Sequence, residues 1–429
     1  MAPSIGVGES LDFQERFSPE WGGHLRGQLR LSRPPDDSVF QAVGGGTHVE
    51  GIGELRLKNR LFFEDWGTLE THYEATAFLG ETREKNRALR ELLAGSPSRR
   101  SGGFPVSSRE GGAITDDRRL LDLSQTLGRG SDGIVSHRLD RLVLSLQNDR
   151  GAALRLGRQA LTWGNGLLFN PLDRFNPFAP TDVVRDYKVG DDMLLARTPV
   201  ASLGELQMVY VPRRNPATGN LSWEESALGG RLHFAGAGLE FDLLGGWNHE
   251  NRVIGGGASG YLGGAAWRAD LAYTWLRTES DAVGYLSAVV NLDYSWRMAG
   301  RNAYGFLEFF HNGLGEDDAP AAVADPDLSE ALARGEVFTL GRNYLAGQVR
   351  LELHPLVNLF LTAIQNLGDP SGVVQPRLVW SVAQEIELLA RANLYWGGAD
   401  TEYGGFSVSG IPGEIAPASG LYGWLTWYF

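Results

Sequence analysis

Long stretches of this sequence alternate between apolar and polar side chains, and a period of two restricts the backbone to extended strands with two unlike faces. In residues 21–32, Trp21, Gly23, Leu25, Gly27, Leu29 and Leu31 share one face, and His24, Arg26, Gln28, Arg30 and Ser32 share the other. The pattern recurs with Val49, Leu55 and Leu57 against Glu54, Arg56 and Lys58, and with Leu69, Tyr73 and Ala75 against Glu70, His72 and Glu74. It returns in 239–248, where Leu239, Phe241, Leu243 and Trp247 oppose Glu240, Asp242 and Asn248. In 345–354, Leu345, Val349, Leu351 and Leu353 oppose Gln348, Arg350, Glu352 and His354. In 385–394, Ile386, Leu388, Ala390, Ala392 and Leu394 oppose Glu385, Glu387, Arg391 and Asn393.

A soluble sandwich also alternates, with its polar face in water. Two features separate the cases. The alternating segments run to about 9 to 14 residues, whereas a soluble strand has about 5 or 6; about 10 suits a tilted crossing of a bilayer. The connections also alternate in length. Short turns fall near Phe62–Gly67, Asn148–Gly151, Pro199–Gly204, Ala235–Gly238, Trp267–Arg268, Ala299–Asn302, His354–Val357 and Ala383–Gln384. Between them lie long segments: Arg33–Gly46, Gly80–Gly133, Trp163–Asp191, Pro212–Trp223, Glu250–Ser259, Thr278–Ala282, Asn312–Phe338, Gly368–Val373 and Gly397–Pro417. Short turns at one rim and long loops at the other describe a transmembrane antiparallel β-barrel. Mean hydropathy is only -0.20 because the two faces average out.

Nine long loops and eight short turns imply 18 strands, an even number that brings both ends of the ring to the periplasmic rim; one mis-split strand would make it 16 or 20. The expectation is therefore an all-β chain forming one barrel over residues 1–429, with short periplasmic turns, long extracellular loops and minor helix. The loops at 80–133, at 163–191 (rich in Pro and Asp) and at 312–338 (acidic) are the distinctive ones. Helical patterns occur only in loops, at Thr82–Ala94 and at Asp327–Arg334, the latter opening with an Asp-x-x-Glu capping signal at Asp327. Aromatic residues gather at segment ends: Trp66, Trp163, Phe169, Tyr210, Trp223, Trp247, Trp275, Trp296, Trp380, Trp396 and Trp427. Amphipathic rings at such places suit the two membrane interfaces.

Two segments carry a family resemblance. The strand Leu421-Tyr-Gly-Trp-Leu-Thr-Trp-Tyr-Phe429 resembles the C-terminal strand by which Gram-negative outer-membrane proteins engage their barrel-assembly machinery. Residues 137–195, with Leu154-Arg-Leu-Gly-Arg-Gln-Ala-Leu-Thr-Trp-Gly-Asn-Gly-Leu-Leu-Phe, resemble large porin-like outer-membrane proteins akin to alginate-export porins. The resemblance implies a barrel in the outer membrane and passive or partner-assisted transport; it implies no catalytic residues. Met1–Ser10 lacks a basic and an apolar region, as in a cytosolic start or in a mature chain with its signal peptide removed; with the barrel, the second is expected.

The alternation nominates a lumen lining. Expected pore-lining residues are Arg26, Arg30, Arg56, Glu70, Glu74, Arg141, Arg155, Gln159, Arg231, Glu240, Asp242, Asp293, Arg350, Glu352, Glu387 and Arg391. Adding Lys58, Arg268, Arg297, Glu54, Asp270 and Glu385 leaves the two signs nearly balanced, which implies weak ion selectivity or a salt-bridged network that narrows or plugs the lumen. The loop after Trp163 contains Pro171, Pro177 and Pro180, and proline stiffens a loop. With Asp173, Arg174, Asp182, Arg185, Asp186 and Lys188 it is the candidate constriction; the alternative is a loop salt-bridged to the rim.

Other chemistry is poorly supported. Net charge is -13 and no basic run stands out, which disfavours nucleic acid. There is no Cys, hence no thiolate metal site or cysteine nucleophile. None of the eight His has a metal-ligand spacing, and no Gly-x-Ser-x-Gly elbow is present. Glu316, Asp317, Asp318, Asp325 and Asp327 match no Ca2+ loop. No enzyme, metal or cofactor is expected. The expected function is passive diffusion of small polar or charged solutes through the outer membrane, with lipid and lipopolysaccharide, the assembly machinery and a periplasmic or export partner as contacts. The alternative is a non-conducting barrel that sheathes a partner or serves an export system.

Overall fold

The computed structural model describes residues 17–93, 115–130, 133–175, 177, 187–201, 203–277 and 284–429. Its strands are β1 (Phe17–Arg33), β2 (His48–Phe63), β3 (Gly67–Gly80), β4 (Ser124–Arg129), β5 (Gly133–Gln147), β6 (Ala153–Gln159) and β7 (Asp191–Val200). They continue as β8 (Gly204–Arg214), β9 (Leu221–Gly236), β10 (Leu239–Asn248), β11 (Asn251–Leu262), β12 (Ala265–Trp275), β13 (Gly284–Met298) and β14 (Arg301–Asn312). The remainder are β15 (Asn343–His354), β16 (Val357–Asn366), β17 (Gly372–Ala383), β18 (Ile386–Trp396), β19 (Phe406–Ser407), β20 (Glu414–Ile415) and β21 (Ser419–Tyr428). Three helices, α1 (Thr82–Leu93), α2 (Ala319–Ala324) and α3 (Pro326–Arg334), lie in loops.

Each ring strand pairs antiparallel with its neighbours in sequence, with β4, β19 and β20 outside the ring, and β21 closes on β1 with Leu25 opposite Trp427 and Leu31 opposite Leu421. The result is a closed barrel of 18 strands. Closure leaves no unpaired edge, the condition for a sheet to stand in lipid. The outward faces carry a belt of exposed apolar side chains, among them Leu25, Leu243, Val290, Leu361 and Leu425. Trp66, Trp223, Trp275, Trp380, Trp396 and Trp427 lie exposed toward its margins, whereas Trp163 and Phe169 are buried inside the barrel and do not belong to the girdle.

Seven of the eight short turns fall where the sequence places them. The eighth is Gly263–Gly264, not Trp267–Arg268, which lies inside β12. The expected long loop Glu250–Ser259 is strand β11, reached by a two-residue turn at His249–Glu250 with φ of 48° and 68°. The run Gly255-Gly256-Gly257 imitates a loop in the sequence, yet its glycines sit in the ladder because the inner wall must be thin there. Asp325, not Asp327, caps α3: its carboxylate accepts from Leu328 N–H, and Pro326 occupies the first turn, where its missing N–H is harmless. Asp318 caps α2 in the same way, so two of the acids in that loop are helix caps.

The wall has one patch. β6 has only seven residues, and the upper half of β5 pairs instead with β4, which returns from the loop after β3. The segment 115–123 then runs over the ends of β6 and β7 to meet β8 at Arg119–Arg213. Arg158 knots it down, bridging Asp116 and Asp192 at 2.9 Å and donating to Leu121 O at 2.6 Å. Burial alone would raise the Asp116 carboxyl; hydrogen bonds from Arg158 and Arg119 hold it below the usual range.

Candidate functional site: the lumen wall and an inward loop

Inward-facing charges form two groups. On β1, β2, β3 and β5, Arg56 bridges Glu74 at 3.0 Å and Asp140 at 2.6 Å, Arg138 bridges Glu74 at 2.9 Å, and Arg141 bridges Asp140 at 2.7 Å. A β-bulge opposite His72 and Tyr73 makes this possible, because the extra residue turns both Asp140 and Arg141 inward. His24 pairs with Glu54 at 2.9 Å and His72 with Glu70 at 3.0 Å. Arg30 bridges Glu50 at 3.1 Å and lies over Tyr422, while Arg26 donates to Thr426 and lies over Trp424. Most of these side chains are under 9% exposed, so the network is closely packed.

The second group is sparser. Arg231 bridges Asp242 at 2.6 Å, and Arg268 bridges Asp293. Toward the short-turn rim Glu240 and Arg350 are exposed, Arg350 lying over Tyr304, and Asn302 donates to Glu352. Arg391 donates to Asn393, and Glu387 is half-buried. Arg155 is half-buried on β6, and Gln159 is buried with its amide donating to Arg155 O and Met193 O.

Residues after β6 turn into the barrel. Glu308 on β14 accepts three consecutive backbone N–H groups, from Leu167 at 2.7 Å, Leu168 at 3.0 Å and Phe169 at 2.8 Å, and a fourth bond from Asn291. Asp270 on β12 accepts from the backbone and side chain of Asn165. Trp163 donates to Gln207, and Arg213 donates to Phe175 O. The wall is cut back to receive this segment: a Cβ on Gly257 would lie 2.2 Å from Asp270, and one on Gly255 2.7 Å from Leu172. Phe169 stacks on Phe310 with ring centroids 4.6 Å apart and joins Val289, Tyr344 and Ile364 in an apolar cluster. The far end of the loop reaches the opposite wall, where the Tyr187 hydroxyl donates to Glu74 and Glu54 and its ring lies 3.8 Å from Arg56.

Of the expected loop charges, Asp173 and Lys188 meet at 2.6 Å, and Arg174 donates to Thr274 and Tyr285 on the barrel wall. Asp182, Arg185 and Asp186 lie outside the described residues. Burial pushes the Asp173 carboxyl up to about 6 although Lys188 and Arg174 are near, and burial lowers the Lys188 ammonium. The sign follows by linkage: an acid whose folded value is raised favours the docked loop at low pH, and that contribution is lost as pH rises from the unfolded value of about 4 through about 6. The difference in thermal midpoint between Asp173→Asn and the native chain should therefore shift in favour of the variant between pH 4 and pH 7; a constant difference would contradict the assignment.

Sequence reasoning missed Glu308, Asp140, Arg138, Arg158 and Arg213. Glu308 sits in an aromatic run, Tyr304-Gly-Phe-Leu-Glu-Phe-Phe310, where both faces read as apolar. Asp140 falls at the bulge, where the period slips. Among the described residues, no group of three His, Asp or Glu could hold a metal ion.

No protein-family profile matches the chain, and no curated protein matches it by sequence. Solved structures do. The crystal structure of Acinetobacter baumannii OccAB1 is 10% identical, covers 95% of this chain and 96% of its own length, and has a TM-score of 0.51. OccAB2 from the same organism is 12% identical, with 96% and 98% covered and the same TM-score. At such identities the likeness is one of fold: the chain is a closed 18-strand β-barrel of the kind found in Gram-negative outer-membrane porins.

Proposed function

We propose that the barrel is an outer-membrane channel for passive diffusion of small polar or charged solutes, narrowed by residues 160–175 and 187–190. The observation that carries this reading is the inward loop itself, clamped by Glu308 and Asp270 to one wall and by Tyr187 to the charged network on the other. A closed barrel of this strand number encloses more space than wall side chains fill. The charged lining from Arg26 to Arg391 wets the path, and Asp173, Arg174 and Lys188 border the narrow part. Planar-bilayer recording of the purified barrel tests it: steady ohmic steps with weak ion selectivity are expected, and their absence would sink the reading.

A second reading is favoured by the burial of the central network, where Arg56, Glu74, Arg138 and Asp140 are each at most 3% exposed. Such packing suits a non-conducting barrel serving a partner or an export system. That barrel would insert into bilayers without conducting. Under either reading we take the strand ending at Phe429 as the signal to the barrel-assembly machinery.

A further inference from the structure

Between the inward loop and the loop that carries α2 and α3 lies a cavity of about 320 Å3. Its wall contains two acids and two bases, Asp173, Glu336, Arg174 and Lys188. Asp173 and Lys188 satisfy one another. Arg174 and Glu336 do not. Arg174 is 8% exposed and, among the described residues, donates through one Nη to neutral oxygens alone, Thr274 Oγ1 at 3.2 Å and Tyr285 OH at 3.3 Å. Among the described residues no carboxylate bridges it, whereas the buried Arg56, Arg138, Arg158 and Arg213 each bridge one. The Glu336 side chain is 7% exposed and its Oε1 has no hydrogen-bond partner, His249 Nε2 being too far at 3.9 Å. The Thr339 hydroxyl, in a residue 4% exposed, also lacks a partner. Buried polar atoms are nearly always satisfied, and leaving one unsatisfied costs about 1–3 kcal/mol. Arg174, Glu336 and Thr339 all line this cavity, where a ligand would supply the missing bonds.

We propose that this cavity binds a neutral, hydroxyl-rich solute of monosaccharide size, which rests on the channel reading and names a solute class for it. The lining carries two charges of each sign, so a ligand with net charge would leave a buried charge unmatched. A hydroxyl both donates and accepts. Ring hydroxyls therefore donate to Glu336, accept from the Arg174 guanidinium and exchange a bond with Thr339. Tyr285, Phe310 and Phe338 border the same space and offer apolar surface to the C–H faces of a sugar ring. The volume lies at the small end of ligand pockets.

The test is isothermal titration of the folded, detergent-solubilised barrel with D-glucose, with glycine and acetate as zwitterionic and anionic comparators. D-Glucose should bind saturably and more tightly than either comparator. Thr339→Val and Glu336→Gln should each weaken it about fivefold or more, the worth of a buried hydrogen bond. Absence of D-glucose binding, unchanged affinity in both variants, or tighter binding of glycine or acetate would overturn the proposal. Heat-dependent gel mobility confirms that each variant is folded. Titration needs no ion flow, so a barrel that binds D-glucose without conducting defeats the channel reading and leaves the site standing. One that conducts without binding does the reverse.

Discussion

Glu308→Ala is expected to raise single-channel conductance several-fold. Among the described residues the carboxylate is the sole partner of the N–H groups of Leu167, Leu168 and Phe169, and Glu308 is wholly buried. Removing it leaves three backbone donors without acceptors inside the barrel, at about 1–3 kcal/mol each. The cheapest remedy is for the segment to leave the wall and hydrate. Glu308→Gln should behave less severely, because one amide oxygen still accepts. Step size in planar bilayers checks this; steps unchanged in the alanine variant would mean that the loop does not limit flow. The barrel should persist, since the ring pairings of β14 with β13 and β15 do not use this side chain.

The second large effect is expected at Asp140. It is 0% exposed, bridges Arg56 at 2.6 Å and Arg141 at 2.7 Å, and lies 3.4 Å from Arg138. Asp140→Ala leaves Arg56 and Arg138 sharing Glu74 and takes from Arg141 the carboxylate it bridges, and breaking a buried ionic cluster by removing one partner costs about 3–5 kcal/mol. The replacement also removes an acceptor for Gly190 N–H, where the inward loop rejoins the wall. A lower heat-modifiability temperature on gels and a reversal potential moved toward anion selectivity are expected together. Loss of stability without a change in selectivity would place the network outside the ion path.

The sequence exposed the ring because each strand has one face in lipid and one inside, and that demand writes itself residue by residue into 21–32 or 385–394. It failed at β11, where glycine is required by the approach of Asn165 and Leu172 across the lumen, a contact with no local signature. The inward faces named Arg56, Glu74 and Asp242 for the same reason that they named the strands. They could not name Glu308, whose inner-face neighbour Phe310 is aromatic and stacks on Phe169. Nor could they name Asp140, since a bulge suspends the period that nominates lining residues. The direction taken by 160–175 and 187–190 was open from composition alone, because prolines and mixed charges suit a rim loop as well as a folded-in one. What decides it is a set of acceptors more than 100 residues away.

The seam between β1 and β21 has a consequence for how the molecule comes into being. Gly23 and Phe429 exchange both backbone hydrogen bonds, joining positions some 400 residues apart, while every other ring contact is made with the next strand along the chain. Hairpins can therefore accumulate in order as a growing curved ribbon, but the ribbon has two bare edges until the last strand arrives. Bare edges in hydrocarbon are forbidden and in water recruit other strands. Assembly thus has no stable halfway state, and a chain stopped before Ser419 should be a substrate for proteolysis or aggregation rather than a narrower barrel.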